Sequence, residues 1–244
     1  MLIRNLPKHT LNSLIAALLA PQCAGCDAIL DSPIDGCVCR NCWACIRFIT
    51  PPVCDGCGDP VARPDDYCRR CRNGERTVDR CRSVGEYDGV LRALLHALKY
   101  DGRISLAQPI GVLMRSRGAS LLERADFVVP VPLHWMRRYR RGFNQARELA
   151  RETRLPVIDA LKRHRHTRPQ IELPAERRQA NVREAFALRT ATKRSGCIEG
   201  SRIVLVDDVM TTGATLEACA KVLKAAGAVE VCALTAAKVI ARRS

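Results

Sequence analysis

The sequence predicts an α/β fold, a parallel sheet flanked by helices, preceded by a small cysteine-rich module. Three observations carry this. Residues 126–131, 203–206 and 229–236 are nearly continuous apolar runs, as expected of strands buried on both faces. Residues 90–98, 145–154 and 216–226 carry apolar residues at helical spacing. Eleven of the 14 cysteines fall within residues 1–81.

The chain has 244 residues, enough for one ordinary domain and an accessory one. With 47% hydrophobic residues it can build a core, which excludes global disorder. No apolar run reaches the roughly 18–20 residues of a membrane-spanning helix. Aromatics are 4%, too few for a protein built on base-stacking platforms. The formal net charge is +15, and it is unevenly spread. Residues 1–81 hold 10 basic and 9 acidic side chains; residues 137–194 hold 17 and 6. Such a block suits polyanions, phosphates or nucleic acid; it also suits a solvated basic face in an Arg-rich chain.

The organisation expected is an N-terminal helix in 1–20, a cysteine module in 21–81 and an α/β domain in 82–244. Residues 11–20 are apolar and follow Arg4, Lys8 and His9, which superficially resembles a secretory signal. The stretch is short and broken by Asn12 and Ser13, and reads as an amphipathic helix packed on the body of the protein.

The cysteine module holds Cys23-x2-Cys26, Cys39-x2-Cys42, Cys54-x2-Cys57 and Cys68-x2-Cys71. Two thiolates on one tight turn reach a Zn2+ together, and a second turn completes a tetrahedron. Four such pairs make two four-cysteine zinc sets. Paired sequentially, they are Cys23, Cys26, Cys39, Cys42 and Cys54, Cys57, Cys68, Cys71; an interleaved cross-brace is the alternative, since Cys37 and Cys45 also lie close by. With every position filled by thiolate, the zinc is structural. A segment this poor in large hydrophobes needs metal to fold. Cys197, Cys219 and Cys232 read as small buried hydrophobes.

In the α/β domain, the strand at 203–206 ends in Asp207-Asp208. Thr211, Thr212, Gly213, Ala214 and Thr215 follow, then a helix closed by Gly227. Gly213 permits close backbone approach, the Thr hydroxyls donate, and the helix N-terminus attracts an anion. Adjacent carboxylates call for hydroxyls or a cation. A sugar phosphate satisfies both halves.

The run from Ile203 to Thr215 resembles the phosphoribosyl pyrophosphate (PRPP) signature of type I phosphoribosyltransferases: an apolar strand, two acids, two apolar residues, then T-T-G-x-T. Residues 85–100 (GEYDGVLRALLHALKY), 128–145 (VVPVPLHWMRRYRRGFNQ) and 177–186 (RRQANVREAF) resemble the ComF family, as does the cysteine-rich N-terminus. The resemblance spans the chain from about Cys23 to the last strand. It implies a cytoplasmic protein of natural transformation that meets imported single-stranded DNA and other DNA-uptake proteins. It implies PRPP with Mg2+ as ligand, Asp207 and Asp208 as the catalytic acids, residues 211–215 on the 5′-phosphate, and Val131-Pro132 on pyrophosphate. Lys99 ends a helix and either reaches pyrophosphate or is solvated. Arg137, Arg138, Arg140 and Arg141, with Trp135 and Tyr139 between and before them, and Arg177 and Arg178 in a long loop suit nucleic acid or pyrophosphate. Purine-salvage relatives carry a third acid where this chain has Thr211. The readings left open are a PRPP-binding protein of DNA uptake, an active transferase to a nucleobase-like acceptor, and a non-catalytic nucleic-acid scaffold.

Overall fold

The computed structural model describes residues 7–64, 66–74, 76–133, 136, 139, 141–163 and 185–240. Its centre is a four-stranded parallel sheet of β1 (Cys81–Glu86), β2 (Phe127–Pro130), β5 (Arg202–Met210) and β6 (Glu230–Lys238), in the order β1-β6-β5-β2. Strands β3 (Leu161–Arg163) and β4 (Phe186–Leu188) form a separate antiparallel pair, so the ends of the expected long loop are ordered as a ladder. Residues 164–184, with Arg177 and Arg178, lie outside the described residues.

Both faces of the sheet are covered, which explains the continuous apolar runs. Val204 and Val206 of β5 pack with α4 (Gly89–Tyr100), α5 (Ala107–Arg117) and α7 (Gln145–Arg151) in one core. Ile203 and Leu205 point the other way, into a core with α9 (Ala214–Ala225) and the β3–β4 pair. Short helices α6 (Ala119–Leu122) and α8 (Thr190–Ser195) complete the wrap. Pro130 is tolerated in β2 because that strand is at the sheet edge.

The helices start where local chemistry supports them. Asp88 caps α4 by accepting from the Gly89 N–H at 2.7 Å, and Asn144 caps α7 by accepting from Ala146 at 3.1 Å. Helix α9 ends at Ala225, and Gly227 follows with φ +94°, a conformation glycine adopts without penalty.

Helix α1 (Lys8–Leu19) begins three residues before the expected position and leans on the cysteine module. Asn12 accepts from the Ile34 N–H at 3.0 Å, and Lys8 pairs with Asp35 at 2.8 Å. The module's own helices, α2 (Arg40–Ala44) and α3 (Arg69–Arg72), are single turns. Its two halves separate across the sheet. Cys23 and Cys42 belong to the core under α4 and α5, whereas Cys54 and Cys57 belong to the core under α9. Cys219 and Cys232 are buried hydrophobes as expected, and Cys197 is half-buried.

The expected strand boundary in β5 needs one correction. The strand does not end before Asp207 and Asp208; it carries them within it and stops at Met210. The reason is pairing: β6 continues alongside, with Asp207 opposite Thr235 and Met210 opposite Lys238. Backbone partners, invisible in the local apolar pattern, extend the strand four residues past the apolar run.

Gly111 in α5 has an ordinary helical setting but no room. A Cβ there would lie 2.2 Å from Glu152 Cβ, at the end of α7. Alanine is the better helix former by about 1 kcal/mol, yet overpacking costs about 1–3 kcal/mol. Gly111→Ala is therefore expected to lower the urea midpoint; a midpoint equal to or above wild type would contradict this packing.

Candidate functional site

Strand β5 is internal to the sheet, so its carboxyl end faces a crevice of the kind in which open α/β sheets bind ligands. Asp208 is buried there at 5% exposure. Its Oδ2 pairs with Lys99 Nζ at 2.7 Å. Lys99 is not a solvated helix-end lysine: its side chain is largely enclosed, 5.9 Å from the Tyr87 ring centroid. The structure thus brings together three residues singled out in the sequence, Lys99, Asp207 and Asp208.

Asp207 is half-buried, and its Oδ1 accepts from the Asp208 N–H at 2.9 Å. Burial pushes its carboxyl well above the usual carboxylate range, and the neighbouring Asp208 charge adds to this; the Asp208 N–H and Lys99 oppose it. Two acids and one lysine leave the crevice short of positive charge and of donors.

The loop from Thr211 leads directly from this acid pair into α9. Thr211 and Thr212 are exposed, and Gly213 caps the helix at φ +82° without a side-chain hydrogen bond. The first helical bond runs from the Glu217 N–H to Gly213 O at 2.9 Å. First-turn amides before it have no acceptor within the helix, the condition an anion exploits; that of Ala214 reaches Thr212 Oγ1 at 3.4 Å. Ala214 and Thr215 are half-buried in that first turn.

The other expected contacts divide. Val131 is buried and its N–H donates to Val206 O at 2.9 Å, so the 131–132 turn lies beside the residue that precedes the acid pair in β5. Asn144 Nδ2 donates to Val131 O at 3.1 Å and fixes that turn. Arg141 stacks 4.7 Å from the Tyr100 ring, at the end of α4, and donates to Gln145. Tyr139 is 87% exposed. Trp135, Arg137, Arg138 and Arg140 lie outside the described residues.

The cysteines resolve into the sequential pairing. Cys23, Cys26, Cys39 and Cys42 have sulfurs within 4.8 Å of one another, as do Cys54, Cys57, Cys68 and Cys71. Cys26 and Cys39 sulfurs are 3.9 Å apart, and Cys57 and Cys68 sulfurs 3.6 Å apart. A regular tetrahedron with metal–sulfur bonds of about 2.3 Å has edges of about 3.8 Å. Backbone N–H groups of Cys39 and Gly25 donate to Cys23 Sγ, and that of Cys68 to Cys54 Sγ. Burial opposes ionisation of Cys23, but these donors outweigh it and bring its pKa down to about 6. Burial and neighbouring cysteines instead hold Cys42 protonated, and push Cys71 up to about 12. Four crowded sulfurs ionise together only around a cation, so both sets fit zinc. Cys37 and Cys45 stand outside them.

Sequence reasoning missed three residues here. Arg76 donates to Cys71 Sγ at 2.8 Å, and Glu217 in the first turn of α9 accepts from the Thr77 N–H at 2.8 Å. Lys238, at the end of β6, is 1% exposed. Only Lys238 had a signal, a lysine inside an otherwise apolar strand.

Two family models match parts of the chain. Residues 14–72 match the double zinc ribbon domain, and residues 139–244 match the phosphoribosyl transferase domain. The chain is 30% identical over 220 residues to competence protein F of Haemophilus influenzae, covering 86% of this chain and 93% of that one. The chain belongs to the ComF family. The DNA utilization protein YhgH of Salmonella typhimurium is 33% identical over 206 residues, 78% of this chain and 86% of its own. Competence protein ComFC of Bacillus subtilis is 30% identical over 194 residues, 76% of this chain and 77% of its own. Among the described residues, no helix is long and apolar enough to cross a membrane.

Two outcomes follow from this geometry. Metal analysis of purified protein should find two zinc ions per chain. Cys42→Ser and Cys68→Ser should each lose one, while Cys37→Ser and Cys45→Ser keep both; loss of zinc from either of the latter would refute the sequential sets. The second concerns pH. A carboxyl raised by folding binds its proton more tightly in the native state, so its contribution is best below the unfolded pKa of about 4 and worsens as pH rises. Asp207→Asn should therefore melt above wild type at pH 7–8, with the gap closing towards pH 4; a gap independent of pH would contradict a raised Asp207.

Proposed function

We propose that this protein binds PRPP at the carboxyl end of β5 and acts in the use of imported DNA. The observation that carries the reading is the continuity of the acid pair and the open helix cap within one strand–loop–helix. Asp207 and Asp208 accept from ribose hydroxyls, and residues 211–215 hold the 5′-phosphate on loop amides and Thr hydroxyls. Lys99 pairs with Asp208 and orients it, and with the 131–132 turn it flanks the proposed position of the pyrophosphate. Mg2+, arriving with PRPP, supplies neutralisation of the pyrophosphate charge.

In transfer chemistry, positive charge would develop on the ribose as pyrophosphate departs, and the acid pair would stabilise it. Thr211 takes the position of the third acid of purine-salvage enzymes, so deprotonation of an acceptor falls to another group or to the acceptor itself. PRPP binding is therefore proposed ahead of turnover. The names of the relatives, competence proteins and DNA utilization proteins, support the DNA-uptake setting, and a cytoplasmic location is proposed with it. Single-stranded DNA is the proposed macromolecular ligand, engaged through the basic segment that ends in Arg141.

Calorimetric titration of PRPP with Mg2+ tests this. Saturable binding is expected for wild type and none for Asp207→Ala/Asp208→Ala, with Asp207→Asn as the folded control that also loses affinity. Absence of binding by folded, zinc-loaded wild type, or undiminished binding by the variants, would overturn the reading.

A further inference from the structure

The ammonium of Lys238 is fully enclosed, an arrangement that costs several kcal/mol unless it is well paired. Both of its partners come from the second cysteine knuckle. Nζ donates to Cys57 O at 2.5 Å and pairs with Asp59 Oδ1 at 2.7 Å. The knuckle is also strapped to β1: the Cys81 N–H donates to Gly56 O at 2.8 Å, and Arg82 holds Asp55 at 2.9 Å.

The other side of Lys238 faces the phosphate loop. It lies opposite Met210, the last residue before Thr211, and the next amide, Val239 N–H, donates to Met210 O at 2.9 Å. Met210 in turn supports the loop: a Cβ on Gly213 would sit 3.0 Å from Met210 Cε. Met210 Sδ accepts from Cys81 Sγ at 3.4 Å. A second tie runs from the end of the ribbon to α9, through Glu217 and the Thr77 N–H. Between these ties lies a cavity of about 160 Å3, walled by Cys57, Arg70 and Cys71 on one side and by Met210, Thr212 and Gly213 on the other. The first cysteine set packs in the core on the opposite face.

We propose that Lys238 is a positioning residue that couples metal retention at the second four-cysteine site to the conformation of the phosphate loop. The inference rests on reading residues 211–215 as that loop. When metal leaves, the knuckle loosens and Lys238 loses both acceptors. A buried ammonium without partners must move or draw in water, and either displaces Met210 and the loop behind it. The coupling is reciprocal: a phosphorylated ligand on the loop slows loss of the second zinc and leaves the first unaffected.

The test uses zinc-loaded full-length protein with hydrogen exchange and zinc release into a coloured chelator, with PRPP and Mg2+ as probe. Asp59→Asn and Lys238→Met should speed exchange in residues 210–217 by about fivefold or more, the lower end of typical coupling, while residues 202–206 stay protected. Cys26→Ser, which empties the first site, should leave residues 210–217 as in wild type. PRPP should slow release of one of the two zinc ions in wild type, and much less in the two variants. If Lys238→Met does not fold, Asp59→Asn, which changes a partly exposed side chain, carries the test. Unchanged exchange in a folded Asp59→Asn, or equal loosening by Cys26→Ser, overturns the coupling. PRPP affinity intact in wild type and variants, with unchanged exchange, removes the coupling and keeps the PRPP reading. Faster exchange with no PRPP binding to wild type keeps the coupling and removes that reading.

Discussion

The arrangement depends on a pair of carboxylates carried inside a parallel sheet. A strand buried on both faces ordinarily excludes such groups, because an isolated charge cannot be desolvated cheaply. Here the strand order places β5 between β6 and β2, and the chain spends its first crossover, after β1, on a helix whose last turn delivers Lys99 to Asp208 at 2.7 Å. That one cation answers one carboxylate. Asp207 is left with a backbone N–H and a raised affinity for protons. The crevice therefore holds two acids against a single lysine.

The cysteine module answers a different constraint. It has too few large side chains to form a core of its own, and the structure does not give it one. Each knuckle instead plugs into a different face of the sheet: Cys23 and Cys42 under α4 and α5, Cys54 and Cys57 under α9. Metal sites of this kind do two things at once. They close short loops, and they present a rigid, neutralised cluster that can sit against apolar helices. The module is thus integrated with the sheet rather than hung from it.

What was legible in the sequence was whatever a short window contains. CxxC spacing named all eight sulfurs that converge, and the apolar run before Asp207-Asp208 marked the central strand. The loop after it was equally plain, since Gly213 sets the turn into α9 through its own backbone, at φ +82°. Features made by distant partners were not legible. The extension of β5 to Met210 is imposed by β6, whose paired residues lie 28 positions on, Met210 opposite Lys238. The choice between sequential and interleaved cysteine sets was decided by three-dimensional packing that spacing does not encode. Lys99 was ambiguous for the same reason: its partner is 109 positions away.

Lys238 shows what a sequence can signal without explaining. A lysine within VCALTAAKVI violates the pattern of a buried strand, and such violations mark places where local rules yield to a structural or functional demand. The violation says that a partner exists, not which. Its partners are a main-chain carbonyl and an aspartate about 180 residues earlier, in a segment whose shape depends on metal. A carbonyl has no sequence signature, and Asp59 looks like one more solvated acid beside a turn. Replacing such a pair with apolar groups is often neutral for stability, so stability alone does not account for keeping it. On the proposal that residues 211–215 hold a phosphate, a buried pair that joins the cysteine knuckle to the strand end before that loop is better explained by what it aligns than by what it stabilises.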